Sequence, residues 1–220
     1  SGSVLRVGAD APGSTNLVSE SGVMPLRAVS AEVVQINLGC PIASDADGIS
    51  ASQSVGAGAN ALINGALAAS GAVTIDVPRN VVAAWTGTSV ITVRGFDEYG
   101  QPMIESSASG TSFTGKKAFK RVTRVSFSAA VTLATVGTGD VLGIPIVIPQ
   151  YASVRNWVLD GANVAAQTTV AADMATKPSA TSGDIRGTVT FSSVPDGSRT
   201  YQLFVTAPDP ISIGPTPFTA

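Results

Sequence analysis

The chain has no histidine and a single cysteine, Cys40, among its 220 residues. The first absence removes Ser-His-Asp and Cys-His catalysis together with the commonest side-chain metal ligand. With one cysteine besides, a structural zinc site lacks ligands. No disulfide can close within the chain, which suits synthesis in a reducing cytoplasm. Cys40 reads as a small buried hydrophobe beside Leu38 and Pro41. Charge is scarce as well: 13% of residues are Asp, Glu, Lys or Arg, against a usual ~25%. The net charge of -2 provides no basic excess for nucleic acid. No apolar run approaches the ~18 residues of a membrane span. The N-terminus lacks a basic region followed by a long apolar one, so no signal peptide is expected, and the initial Ser fits removal of a starting Met.

What the chain has is Ala, Gly, Ser, Thr and Val, with 44% apolar residues. That is enough for one domain with a sizeable core. So few charges on a protein of this size also suit a surface partly covered by other subunits. Residues 1–31 alternate short apolar pieces with Gly, Pro and Ser and read as an extended arm with at most one short strand. Glu32–Leu38 reads as a strand and Gly39–Val55 as a long polar turn region. Ala57–Ser70 places Leu62, Ile63, Ala66 and Leu67 at helical spacing, but Gly58 and Gly65 weaken a helix; a short helix or ordered loop is expected.

From Ala72 onward β signals are dense. Strands are predicted at Ala72–Val77, Asn80–Trp85, Ser89–Phe96, Met103–Ala108, Arg121–Phe127 and Ala130–Thr135. Further ones are predicted at Ile144–Ile148, Ser153–Leu159, Asn163–Ala171, Ile185–Ser192 and Thr200–Thr206. Turn formers separate them, among them Asp160-Gly161 and Asp196-Gly197. Short strands at this spacing predict an all-β fold, a jelly-roll-like or related antiparallel β-sandwich. The tail, Ala207–Ala220, holds four prolines, which remove backbone donors and bar it from a sheet interior. The expected layout is an N-terminal arm (1–31), a sandwich domain (32–206) and a Pro-rich C-terminal arm (207–220), with arms suited to reaching neighbouring subunits.

Motifs for chemistry are weak. Asp45-Ala46-Asp47-Gly48 resembles the start of a calcium loop, but Ile49–Val55 supplies no closing carboxylate, so a polar turn is the better reading. Gly56-Ala57-Gly58 lacks the third glycine of a dinucleotide site, and there is no P-loop. Asp97 and Glu98, with Glu105 nearby, fall in what reads as a solvated hairpin tip. A glycosidase-like pair would need a distant partner such as Asp140. Lys116, Lys117, Lys120, Arg121 and Arg124 gather five of the thirteen basic residues. They read as a solvated charged face or as a candidate contact for an acidic protein surface. Trp85, Trp157, Tyr99, Tyr151 and Tyr201 read as core and interface anchors, with a sugar-binding surface as the alternative. No catalytic residue, metal or cofactor is expected.

The pieces DVPRNV (Asp76–Val81), GFDEYGQP (Gly95–Pro102) and GKKAFK (Gly115–Lys120) resemble a module of structural proteins of tailed bacteriophages. The likeness continues into VGTGDVLGIP (Val136–Pro145) and GDIRGTVTFSSVPDG (Gly183–Gly197), covering the C-terminal two-thirds of the chain. The resemblance implies a non-enzymatic virion component. The best fit is a decoration or cement protein that binds the major capsid protein on the outside of the head as a homodimer or homotrimer, without nucleic acid or membrane. A neck, tail or fibre-base protein is the first alternative and a carbohydrate-binding adhesin module the second. The chain is short for the major shell protein itself and lacks the long helix such shells carry.

Overall fold

The computed structural model describes residues 6–11, 14–18, 26–28, 32–173 and 183–207. Its strands are β1 (Arg6–Ala11), β2 (Ser14–Val18), β3 (Leu26–Ala28), β4 (Glu32–Gly39), β5 (Ser50–Val55), β6 (Ala68–Ala69), β7 (Ala72–Ser89) and β8 (Ile91–Phe96). They continue as β9 (Pro102–Ser106), β10 (Gly110–Thr114), β11 (Phe119–Phe127), β12 (Val131–Gly143), β13 (Val154–Leu159), β14 (Ala162–Val164), β15 (Thr168–Ala171), β16 (Gly187–Thr190) and β17 (Tyr201–Ala207). Every pairing is antiparallel. The fold is all-β and sandwich-like, as the strand spacing predicts.

Three expectations change. The described part of residues 1–31 is a three-stranded sheet, β1-β2-β3, rather than an extended arm. Ile144–Ile148 is buried but makes no strand; its backbone bonds go to Gly187, Arg186 and Ala172 instead. Of the two readings expected for Ala57–Ser70, the ordered loop is the one found, ending in the two-residue β6: Gly58 and Ala61 donate to the carbonyls of Phe127 and Val125 along β11, so its backbone spends its bonds on a sheet rather than on a helix. The polar run Ser50–Val55, read as part of a turn region, is a strand. The Pro-rich segment 208–220 lies outside the described residues, as do the remainder of residues 1–31 and 174–182.

A ten-stranded sheet and a four-stranded sheet, β14-β13-β17-β4, enclose two apolar cores. The first gathers Val73, Ile75, Trp85, Ile91, Val93, Phe119, Val125, Phe127 and Val136, with Trp85 edge-on to Phe127 at 5.3 Å between centroids. The second lies between the four-stranded sheet (Ile36, Trp157, Tyr201, Leu203, Val205) and the chain around β12 and β16 (Leu142, Ile144, Val189, Phe191).

β7 bends the ten-stranded sheet because it changes partners midway. Its first half pairs with β11, and its second half with β12 and β10. The change falls at Pro78–Asn80, where both neighbours slip register: Phe119 faces Arg79 but Arg121 faces Thr74, and Thr138 faces Val81 but Leu142 faces Arg79. Bulges of this kind bend a strand and turn sandwich corners. The bend is held by buried Asn80, whose Nδ2 donates to the Gly115 carbonyl at 3.0 Å and whose Oδ1 accepts Val141 N–H at 3.1 Å. Gly139 is required beside it, since a Cβ there would lie 2.4 Å from Asn80 Oδ1.

Replacing Asn80 with Ala strips partners from a buried donor and a buried acceptor at once. We expect a loss of about 1–3 kcal/mol for the groups left unpaired. Urea unfolding should report it as a lower midpoint with an unchanged slope.

Candidate functional site

The charged residues singled out in the sequence do not form a solvated tip. A group of them is buried where the two cores meet. Glu105 on β9 is 1% exposed, and it accepts Lys116 N–H at 2.7 Å and Lys117 N–H at 3.1 Å, one on each oxygen. Asp184 accepts the next amide, Ala118 N–H, at 2.8 Å and Arg186 N–H at 2.9 Å. Three consecutive amides of the GKKAF turn are thus held by two carboxylates from distant parts of the chain. Gly115 opens the turn because a Cβ there would meet Glu105 Oε2 at 2.8 Å and the Val81 carbonyl at 2.9 Å.

Lys117 is 0% exposed, and its Nζ donates to the Gly183 carbonyl at 2.9 Å. It is therefore withdrawn from the proposed contact face, and its ammonium points into the seam. Sequence reading missed this because a lysine in a run of basic residues gives no sign of which one faces inward. The other four lie nearer solvent. Lys116, Arg121 and Arg124 are exposed, and half-buried Lys120 lies 3.5 Å from Glu98. Arg124 Nε donates to Asn60 Oδ1 at 2.8 Å.

Asp97 is likewise inward, unlike its exposed neighbours Glu98, Tyr99 and Gly100. Its Oδ1 accepts Tyr99 N–H at 2.9 Å and Gln101 N–H at 2.8 Å, closing the turn. Its Oδ2 takes Arg186 Nη1 at 2.7 Å, with both side chains 3% exposed. The Arg186 guanidinium lies over the Tyr99 ring, 4.5 Å from its centroid, and Tyr99 Oη donates to the Pro145 carbonyl at 2.7 Å. A buried, hydrogen-bonded charge pair stacked on an aromatic fixes geometry; removing one member leaves the other stranded.

Burial pushes the Glu105 and Asp184 carboxyls above their ordinary ranges, against the backbone N–H bonds and nearby Lys117 that hold them down. The same desolvation pulls Lys117 below the ordinary lysine value, opposed by Asp184, Glu105 and Asp173. Arg79, fully buried at the β7 bend, is lowered by burial too, with Asp76 and Asp140 opposing. Its Nη2 donates to the Ile42 carbonyl, and Asp76 Oδ2 lies 3.6 Å away. Asp140 thus acts on Arg79 within the β12 bulge rather than pairing with Asp97.

The remaining motifs resolve into structure. Asp45 Oδ1 accepts Asp47 N–H at 3.2 Å, and its carbonyl accepts Thr138 N–H at 2.8 Å, so the aspartate pair caps a turn docked on β12. Among the described residues no group of Cys, Asp or Glu is arranged to hold a metal, and no helix is long and apolar enough to cross a membrane. Trp85, Trp157 and Tyr201 are core residues, whereas Tyr99 and Tyr151 are exposed, so a Trp-lined sugar platform is not formed. Cys40 is exposed, not buried; Gly39, at φ +70°, turns the chain out of β4 just before it.

Two outcomes test the seam. Asp97→Ala takes a buried carboxylate from Arg186 and two amide bonds from the turn and should cost about 3–5 kcal/mol, whereas Glu98→Ala, which removes a pair near the surface, should stay within about 1 kcal/mol. The pH dependence has a definite sign. Above the ordinary glutamate range the folded Glu105 keeps a proton that the unfolded chain has lost, so stability falls as pH rises through its raised folded value. Chemical unfolding across this interval should show a shallower fall for Glu105→Gln than for the native chain. Comparison with known protein families, with curated proteins and with solved structures finds no match to the chain.

Proposed function

We propose that the protein is a non-enzymatic structural component of a tailed-phage particle. The favoured role is a decoration or cement subunit that binds the major capsid protein on the head exterior and stabilises the shell. The observation that carries this reading is where the phage-like motifs meet. DVPRNV contains the β7 bend. GFDEYGQP supplies Asp97 and Tyr99, and GKKAFK supplies the three captured amides and Lys117. VGTGDVLGIP contains the β12 bulge and Pro145, and GDIRG supplies Asp184 and Arg186. Pieces separated by up to ~100 residues of sequence serve one buried seam, whose carboxylates are engaged by backbone amides or by Arg186. The resemblance therefore falls on residues that specify a fold, which suits a scaffold whose work is contact area rather than chemistry.

The surface supports the same reading. Leu62 and Leu133 stand 67% and 68% exposed beside β5, and Leu133 holds φ +51°, an unfavourable conformation for a branched side chain. Lys116, Arg121 and Arg124 remain exposed, with Lys120 half-buried, and would meet an acidic partner. Binding to the assembled shell alone would stabilise it by mass action. A neck, tail or fibre-base position is the second reading, because the same motifs would serve there.

Copy number relative to the major capsid protein, measured by quantitative mass spectrometry of purified particles, separates the two. A ratio near that of the shell protein is expected; a few copies per particle would move the protein to the neck or tail. Charge reversal at the exposed Lys116 and Arg121 should reduce binding to particles while leaving the unfolding midpoint nearly unchanged. Undiminished binding would remove the basic face from the interface.

A further inference from the structure

β4 is the end strand of the four-stranded sheet. It pairs with β17 on one side, and among the described residues nothing pairs with its other side. In an antiparallel sheet every second residue of such a strand turns both N–H and C=O outward, a template for another strand.

Other edges of the ten-stranded and four-stranded sheets are blunted. β9 begins at Pro102 and turns Glu105 inward. β5 is covered by the 56–67 loop, where Asn64 Oδ1 accepts Ala51 N–H at 3.1 Å and Gln53 bonds both backbone groups of Leu62. β10 carries a bulge between Gly110 and Ser112, and β14 and β15 are three and four residues long. β4 is eight residues, EVVQINLG, with no proline or lysine and one charge at its first position. Its one irregularity is near its end, where Tyr201 faces Gly39 but Gln202 faces Asn37; Val33–Asn37 pairs with β17 in regular register and has no proline, charge or bulge against further pairing.

We infer that the free edge of β4 is a docking site for β4 of a second copy of this chain, joining two four-stranded sheets into one across a two-fold axis. The strand is self-complementary in that arrangement. With Ile36 opposite its own copy, Val34 falls opposite Leu38 and Gln35 opposite Asn37. Ile36 and Leu38 are buried against the second core, whereas Gln35 and Asn37 are exposed on the outer face. Apolar positions thus continue the core across the seam, amides meet amides on the outside, and no like charges face each other. Gln35 is already part of an amide ladder there, its Nε2 donating to Gln202 Oε1 at 3.1 Å. The joint is isologous and closes at two copies.

The rival occupant is the chain's own tail. It leaves β17 at Ala207, which pairs with Glu32 at the start of β4. Pro208, Pro210, Pro215 and Pro217 leave no proline-free run longer than Ile211–Gly214, too short to match the strand. The second copy is therefore the better occupant. This surface does not depend on a role in a phage particle.

Sedimentation equilibrium of the full chain over a dilution series tests it. The native chain should weigh as a dimer, and Gln35→Lys with Asn37→Lys should halve the mass while the chain still unfolds in one cooperative transition, now independent of concentration. In a Cys40→Ser background, Gln35→Cys and Asn37→Cys chains should form a disulfide-linked pair when mixed, and each alone should not. A native chain that stays monomeric throughout, or a dimer indifferent to the two lysines, overturns the inference. So does a monomer that dimerises only after deletion of 208–220, which would give the edge to the tail.

Discussion

The structure depends on a small number of charges being taken out of water and held where two apolar cores meet. A buried carboxylate or guanidinium without partners costs several kcal/mol, so each must be met by donors or acceptors placed to fit it. Here the fit is distributed along the chain. Glu105 and Asp184 divide the amides of Lys116, Lys117 and Ala118 between them. Asp97 takes Arg186, and Lys117 reaches the Gly183 carbonyl. Strands that only share an apolar interface can slide by a pair of residues and still bury Val against Ile. A seam in which amides, carboxylates and a guanidinium must all register tolerates no such slip. We read the charges as specifying the relation between the two cores, with little net gain in stability expected from them.

The β7 bend does the same work by backbone geometry. One long strand bends the ten-stranded sheet by changing partners at Pro78–Asn80, and the extra residues in β7 and β12 at that point would leave polar groups unpaired in the interior. Asn80 satisfies one on each side, and Gly139 makes room for it. Proline suits the site because it removes a donor that a bulged backbone could not place.

The periodicity of Val, Ile and Thr from Ala72 onward made the class of fold and most strand positions legible. It could not show that Ala72–Val77 and Asn80–Trp85 belong to one strand, because Pro78 reads as a break and only tertiary pairing reveals a bend. Ser50–Val55 was hidden by its polarity; its strand state comes from pairing with β12, not from its own propensity. The charged cluster was least legible. Asp97 and Glu98 are neighbours of like type in a turn-forming sequence, and burial of the first alone follows from Arg186, some ninety positions away. Lys117 differs from Lys116 only in the side of the turn it occupies. The signal that pointed inward was glycine: Gly95, Gly115 and Gly143 punctuate the motifs, and a Cβ at each would collide with a neighbour. Gly115 and Gly143 mark close packing at the seam, whereas Gly95 lies against β11.

Low charge content follows from the same arrangement. Among few charged residues, Arg79, Asp97, Glu105, Lys117, Asp184 and Arg186 are spent inside, so the surface is poorer in charge than the composition suggests. Proteins that live alone use surface charge to keep sheets and edges apart. This chain leaves a long edge strand and isolated exposed leucines without that protection, while blunting its other edges with proline, bulges and covering loops. The contrast argues that the bare positions are contact surfaces. On a repetitive lattice, contacts of this kind need not be strong singly. A subunit tied to a second copy, in the role proposed, would engage the lattice at two points, and the second attachment would proceed at high effective concentration. That arithmetic favours a fold in which rigidity is stored in the interior and the outer surface is left plain.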